Sequence, residues 1–145
     1  MWHYRTGVRN YPGWHFTADH LGVTFLISLF TKMLESQWPA RFHLKISRPT
    51  PRILQIPNNQ DGQAKIAIGS DLVIHHPKDR VDQSFWEITS DTESITITVG
   101  TKKLKELLKG IRNIELDKLV CSFDLMPERQ GADDDQGLHI WWCIN

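Results

Sequence analysis

Apolar residues recur in this chain with a period of two in many short runs and with a period near four in two longer ones. The first is the period of a half-buried strand and the second that of an amphipathic helix, so the pattern dictates strands broken by a helix at two points. Gly100 marks one switch. Before it, Ile95, Ile97 and Val99 alternate with polar residues. After it, Leu104, Leu107, Leu108 and Ile111 form the stripe of a short helix, with Thr101 as its N-cap and Gly110 near its far end. The other stripe is Leu26, Leu29, Phe30, Met33 and Leu34; Thr17 is its expected N-cap, Asp19 stands in the positive first turn and Pro39 is the stop.

Period-two runs occupy residues 1–5, 42–46, 64–68, 72–75, 84–89, 94–99, 119–125 and 138–144. Gly69 and Ser70 read as the turn of one hairpin and residues 90–93 as the turn of another. Residues 47–62 hold Pro49, Pro51 and Pro57 and read as a long irregular connection, which is uncommon without a purpose. The order predicts an α+β fold: a mainly antiparallel sheet of about seven or eight strands with two helices packed together on one face. The chain has 145 residues, 40% hydrophobic and 23% charged, the size and balance of a single globular domain spanning residues 1–145.

Two cysteines, Cys121 and Cys143, are too few for a disulfide scaffold and are expected to be free thiols in a reducing compartment. The first residues lack a charged region followed by an apolar one, and the helical stripe is interrupted by polar side chains. A cytoplasmic protein without membrane attachment is expected. Seventeen basic residues balance seventeen acidic ones, which argues against nucleic acid as a partner. The balance is uneven along the chain: no acid occurs from Ser36 to Gln60, where Arg41, Lys45, Arg48 and Arg52 fall, although no glycine-rich phosphate cradle accompanies them.

Residues 2–20 are dense in aromatic and ionisable groups. His15, Asp19 and His20 are metal-ligand types, but their spacing fits no zinc signature; the plainer expectation makes Asp19 a dipole partner, His20 a surface residue and Trp14 with Phe16 a staple between helix and sheet. His75 and His76 close the run at 72–75 and lead into a charged surface turn, and the lysines of the second helix read as a solvated face. No nucleophile elbow occurs, and neither cysteine has a catalytic context. Asp133, Asp134 and Asp135 lack the alternation of a calcium loop and read as an exposed acidic loop. Beside it, Trp141 and Trp142 point to opposite faces of one strand, so one of them needs a covering and would serve as an interface anchor.

These features lead to the expectation of a small, non-catalytic protein-binding module without cofactor or metal, comparable at the level of architecture to bacterial immunity proteins or defence-system accessory proteins. Its expected contact residues are Asp133, Asp134, Asp135, Trp141, Trp142, Trp14, His15, Asp19 and His20, acting on a protein partner, with self-association left open. The alternative is a metal-dependent enzyme using His15, Asp19 and His20, with Arg9 or Arg48 holding an anion. A nucleic-acid module built on residues 41–52 and the Lys-rich helix is a third class.

Overall fold

A computed structural model describes residues 1–4, 13–53, 66–91, 93–116, 122–125 and 136–141. Its elements in chain order are β1 (Trp2–Tyr4), β2 (Trp14–Thr17), α1 (His20–Glu35), β3 (Ala40–Lys45), β4 (Ile66–Ile68), β5 (Asp71–His76), β6 (Trp86–Asp91), β7 (Ser94–Val99), α2 (Thr101–Leu116), β8 (Ser122–Leu125) and β9 (Leu138–Trp141). The α+β class and the two helices match the sequence reading. The single, mainly antiparallel sheet does not: there are two mixed sheets, a five-stranded one in the order β4-β1-β2-β9-β8 and a four-stranded one in the order β3-β5-β7-β6. Each contains one parallel pair, β2 with β9 and β5 with β7. Side-chain alternation is identical in parallel and antiparallel strands, so the period could not reveal this.

The expected hairpin at Gly69 and Ser70 is instead the crossing from one sheet to the other. The Gly69 N–H donates to the Met1 carbonyl (3.1 Å), beside the five-stranded sheet, while the Ser70 N–H donates to the Glu93 carbonyl (2.9 Å), at the four-stranded one. The second expected hairpin is present, with β6 and β7 antiparallel and Asp91 opposite Ser94.

Helix α1 starts later than expected because residues 14–17 are held extended between β1 and β9 as a strand of their own. The N-cap is therefore Asp19, whose Oδ1 accepts the Gly22 N–H at 2.7 Å, and not Thr17. Trp14 and Phe16 do pack against the helices, from within that strand. Helix α2 runs past Gly110, and the absence of a side chain there is used: a Cβ at Gly110 would sit 2.6–2.8 Å from the ring carbons of Phe123 in β8. The α2 amino end is capped by the Gln83 carbonyl, which accepts the Lys102 N–H at 2.8 Å.

Val23, Leu26, Leu29, Phe30 and Met33 of α1 and Leu104, Leu107, Leu108, Ile111 and Ile114 of α2 form one buried cluster with inward residues of both sheets. Lys103, expected in solvent, is buried and bonds Glu106 at 2.9 Å. Among the described residues no helix is long and apolar enough to cross a membrane.

Candidate interaction surface and the buried histidine face

The five-stranded sheet has two unlike faces. Trp14, Phe16, Leu138 and Ile140 turn toward the helices, so His15, His139 and Trp141, at the alternate positions, turn away from them. They are not exposed there. His15 and His139 are each 1% exposed, and Trp141 packs in a second apolar cluster with Trp2, against Ile53, Ile66 and Ile68. Trp141 is therefore not the exposed member of the Trp141 and Trp142 pair, because the far face of the sheet is itself a core.

Polar groups on that face are matched to one another. The Trp141 indole N–H donates to Nδ1 of His15 at 2.8 Å. An indole can only donate, so His15 Nδ1 carries the lone pair and the neutral ring bears its proton on Nε2. His139 sits directly opposite His15 in the parallel pair, with ring centroids 4.9 Å apart and planes 25° apart. Its Nδ1 donates to Asp124 Oδ1 at 2.7 Å, from buried imidazole to a half-exposed carboxylate. That bond places a proton on Nδ1 of His139 and fixes the orientation of its ring. Trp2 stacks on the other side of His15 at 5.4 Å, and its wholly buried indole N–H has no acceptor among the described residues.

His15, Asp19 and His20 are not brought together. The first lies on the buried sheet face, the second caps α1 and the third is exposed at its first turn. Nearly parallel stacked imidazoles also aim their nitrogens along separate planes. Among the described residues no group of three His, Cys, Asp or Glu side chains is placed to hold a metal ion. Asp133, Asp134, Asp135, Trp142, Cys121 and Cys143 lie outside the described residues. Trp14 belongs to the core.

A different surface stands out, one that the sequence reading missed. The large apolar side chains left exposed among the described residues are Leu21, Phe25, Trp38 and Phe42, with Leu21 and Trp38 each 77% exposed. Trp38 is held firmly by its backbone. Its N–H donates to Ser36 Oγ at 3.1 Å, and the Ser36 hydroxyl donates back to the Trp38 carbonyl at 2.9 Å. Lys78, in the left-handed backbone region at φ 60°, places its ammonium on the Ser36 carbonyl at the end of α1. Adjacent β3 is an edge strand whose Phe42 is 38% exposed. The tripeptide Trp38, Pro39, Ala40 carried a sequence signal, since Pro39 ends a helix and leaves a tryptophan in a turn with no period to bury it.

Beyond β3, charge is concentrated on the sheet face that turns away from the helices. Asp71 bonds both Lys45 (2.6 Å) and His43 (2.8 Å), and these contacts, the Lys45 hydrogen bond foremost, hold its carboxyl below the usual range. His75, expected at the end of a strand before a surface turn, is a half-buried residue of β5; burial first, then Arg41, His76 and Arg80, push its pKa down. His76 is fully buried and bonds the Val99 carbonyl at 2.8 Å through Nδ1. Comparison with protein-family models, with curated proteins and with solved structures found no match to this chain.

Proposed function

We propose that this chain is a non-catalytic protein-binding module whose contact surface is centred on Trp38. The observation that carries this reading is a tryptophan 77% exposed on a turn whose backbone is locked by Ser36 and Lys78. A mobile exposed tryptophan would lose side-chain and backbone freedom on binding. One whose backbone is already fixed has mainly its side-chain rotamers left to lose and offers a large apolar area, as interface anchors do. A module of this kind acts by occupying a partner's surface, as immunity-type and defence-system accessory proteins do. The acidic residues Asp133, Asp134 and Asp135 with Trp142 stay in the proposal as a second contact that would speed association with a basic partner.

A photo-crosslinking side chain placed at position 38 tests this in extracts of the source cell, with the same group at exposed position 109 as control. A discrete adduct to a second protein from position 38 and none from position 109 is the expected result. Equal labelling from both positions, or none from position 38, rejects the reading.

A further inference from the structure

We propose that the open edge of β3 accepts an extended partner segment as a fifth strand of the four-stranded sheet, and that acidic residues alternate with apolar ones in that segment. The inference rests on the protein-binding reading and specifies the partner's chemistry. Strand β3 pairs with β5 on one side and with no strand among the described residues on the other. The Ile46 N–H donates to the Ser70 carbonyl, and the antiparallel register continues from there with Leu44 opposite Leu72 and Phe42 opposite Ile74. Hydrogen-bonded pairs alternate along such a ladder, so the main-chain groups of Arg41, His43 and Lys45 are the ones that face outward. Their amides and carbonyls are what an added strand pairs with.

The side chains then dictate the partner's pattern. Residues paired with Arg41, His43 and Lys45 would share their face of the sheet, where cross-strand neighbours of opposite charge are favoured. Asp71 already engages Lys45 and His43. By contrast, neither Arg41 nor Arg80 is within ion-pair distance of an acid among the described residues, and both stand close enough to His75 to disfavour its protonation. A carboxylate is the group this end of the strand calls for. The partner's intervening residues would point to the helix side, beside the half-exposed Phe42 and the partly buried Leu44, where apolar side chains gain most. A polyphosphate fits less well: Asp71 and Glu93 lie at this face, and an open strand edge offers a nucleic acid no counterpart for its main-chain pattern.

The probe is a short, end-blocked synthetic peptide alternating glutamate and valine, titrated into the intact protein. Binding is expected, with hydrogen-exchange protection gained at the amides of Arg41, His43 and Lys45. The His75 imidazole, followed by NMR, should titrate at higher pH in the complex as a carboxylate settles beside Arg41. Arg41→Glu should weaken binding about tenfold or more, the size of one charge-assisted contact. With the unaltered protein, methylating alternate peptide amides should abolish binding, so a folding defect cannot mimic the result. A lysine-valine peptide that binds equally well, protection elsewhere than β3, or tighter binding of a single-stranded RNA overturns the proposal. Failure of the peptide while crosslinks from position 38 persist removes the strand-edge inference alone; loss of those crosslinks removes the parent reading as well.

Discussion

At His75 partial burial and the positive neighbours act in one direction, all opposing a charge on the ring. The folded-state pKa therefore lies below that of the unfolded chain, whose value is about 6.5. The sign follows: above the unfolded value the ring is neutral in both states and the fold keeps its full stability. As pH falls below that value the unfolded chain takes up the proton first, and stability is lost down to the folded pKa. Denaturant midpoints of the wild type should thus fall between pH 7.5 and pH 5, in a window set by about 6.5 at its upper end. The variant His75→Gln should show a shallower fall over the same window. An identical slope would mean that the acid sensitivity arises elsewhere. The histidines of the five-stranded sheet are fixed differently, by Trp141 on His15 and by Asp124 on His139, and their tautomers follow from those partners.

Gly110 shows how an element's sequence can mislead about its length. Glycine near the end of an apolar stripe reads as a helix terminus, yet α2 continues to Leu116 and buries Ile114. The glycine is there for Phe123, whose ring lies where a Cβ would be. Two effects oppose each other in Gly110→Ala: helix propensity favours alanine by about 1 kcal/mol, whereas overpacking costs about 1 to 3 kcal/mol. The substitution should destabilise the wild type and stabilise a Phe123→Ala background, a sign change that urea denaturation of the four proteins in the cycle would detect. Stabilisation in both backgrounds would show that the contact with Phe123 is loose.

Other elements were readable for a stated reason. The stripe from Leu26 to Leu34 and the alternation of Ile95, Ile97 and Val99 both report a buried face, and both faces are buried, with Leu34 at the end of the stripe only partly so. What the alternation of Leu72 and Ile74 does not report is the neighbour on each side: the pattern predicts a hairpin of β5 with β4, whereas the partners of β5 are β3 and β7. The far face carrying His15, His139 and Trp141 was invisible for a related reason. A strand buried on both sides has no polar face, and its histidines look like surface residues until their partners are known.

Gln136 supplies several of the polar contacts between the two sheets. Its side-chain oxygen accepts the Ile88 N–H at 2.6 Å, its amide nitrogen donates to the Ile88 carbonyl at 3.0 Å, and its main-chain carbonyl accepts the Trp86 indole N–H at 2.7 Å. The primary amide thus behaves as one residue of a neighbouring strand against the edge of β6. Immediately after it, the Gly137 carbonyl accepts the Trp14 N–H at 2.8 Å, where the chain closes against Gly13, whose φ of 101° and lack of a Cβ allow the approach. One short segment therefore ties the edge of the four-stranded sheet to the middle of the five-stranded one.

Replacing Gln136 by glutamate keeps the shape and removes the donor. An ionised carboxylate would still accept from Ile88 N–H but would face the Ile88 carbonyl oxygen with no proton between them, at a half-buried position. Gln136→Glu should cost about 1 to 3 kcal/mol at pH 7, the penalty for a part-buried acceptor left unsatisfied and faced by a charge. The deficit relative to wild type should shrink near pH 4, where about half of an unperturbed glutamate is protonated and a donor is restored. Gln136→Ala loses both bonds at every pH, so its deficit should stay constant over the same range. Equal pH dependence of the two variants would show that the Ile88 carbonyl is served by another donor and that the clamp between the sheets does not depend on the amide.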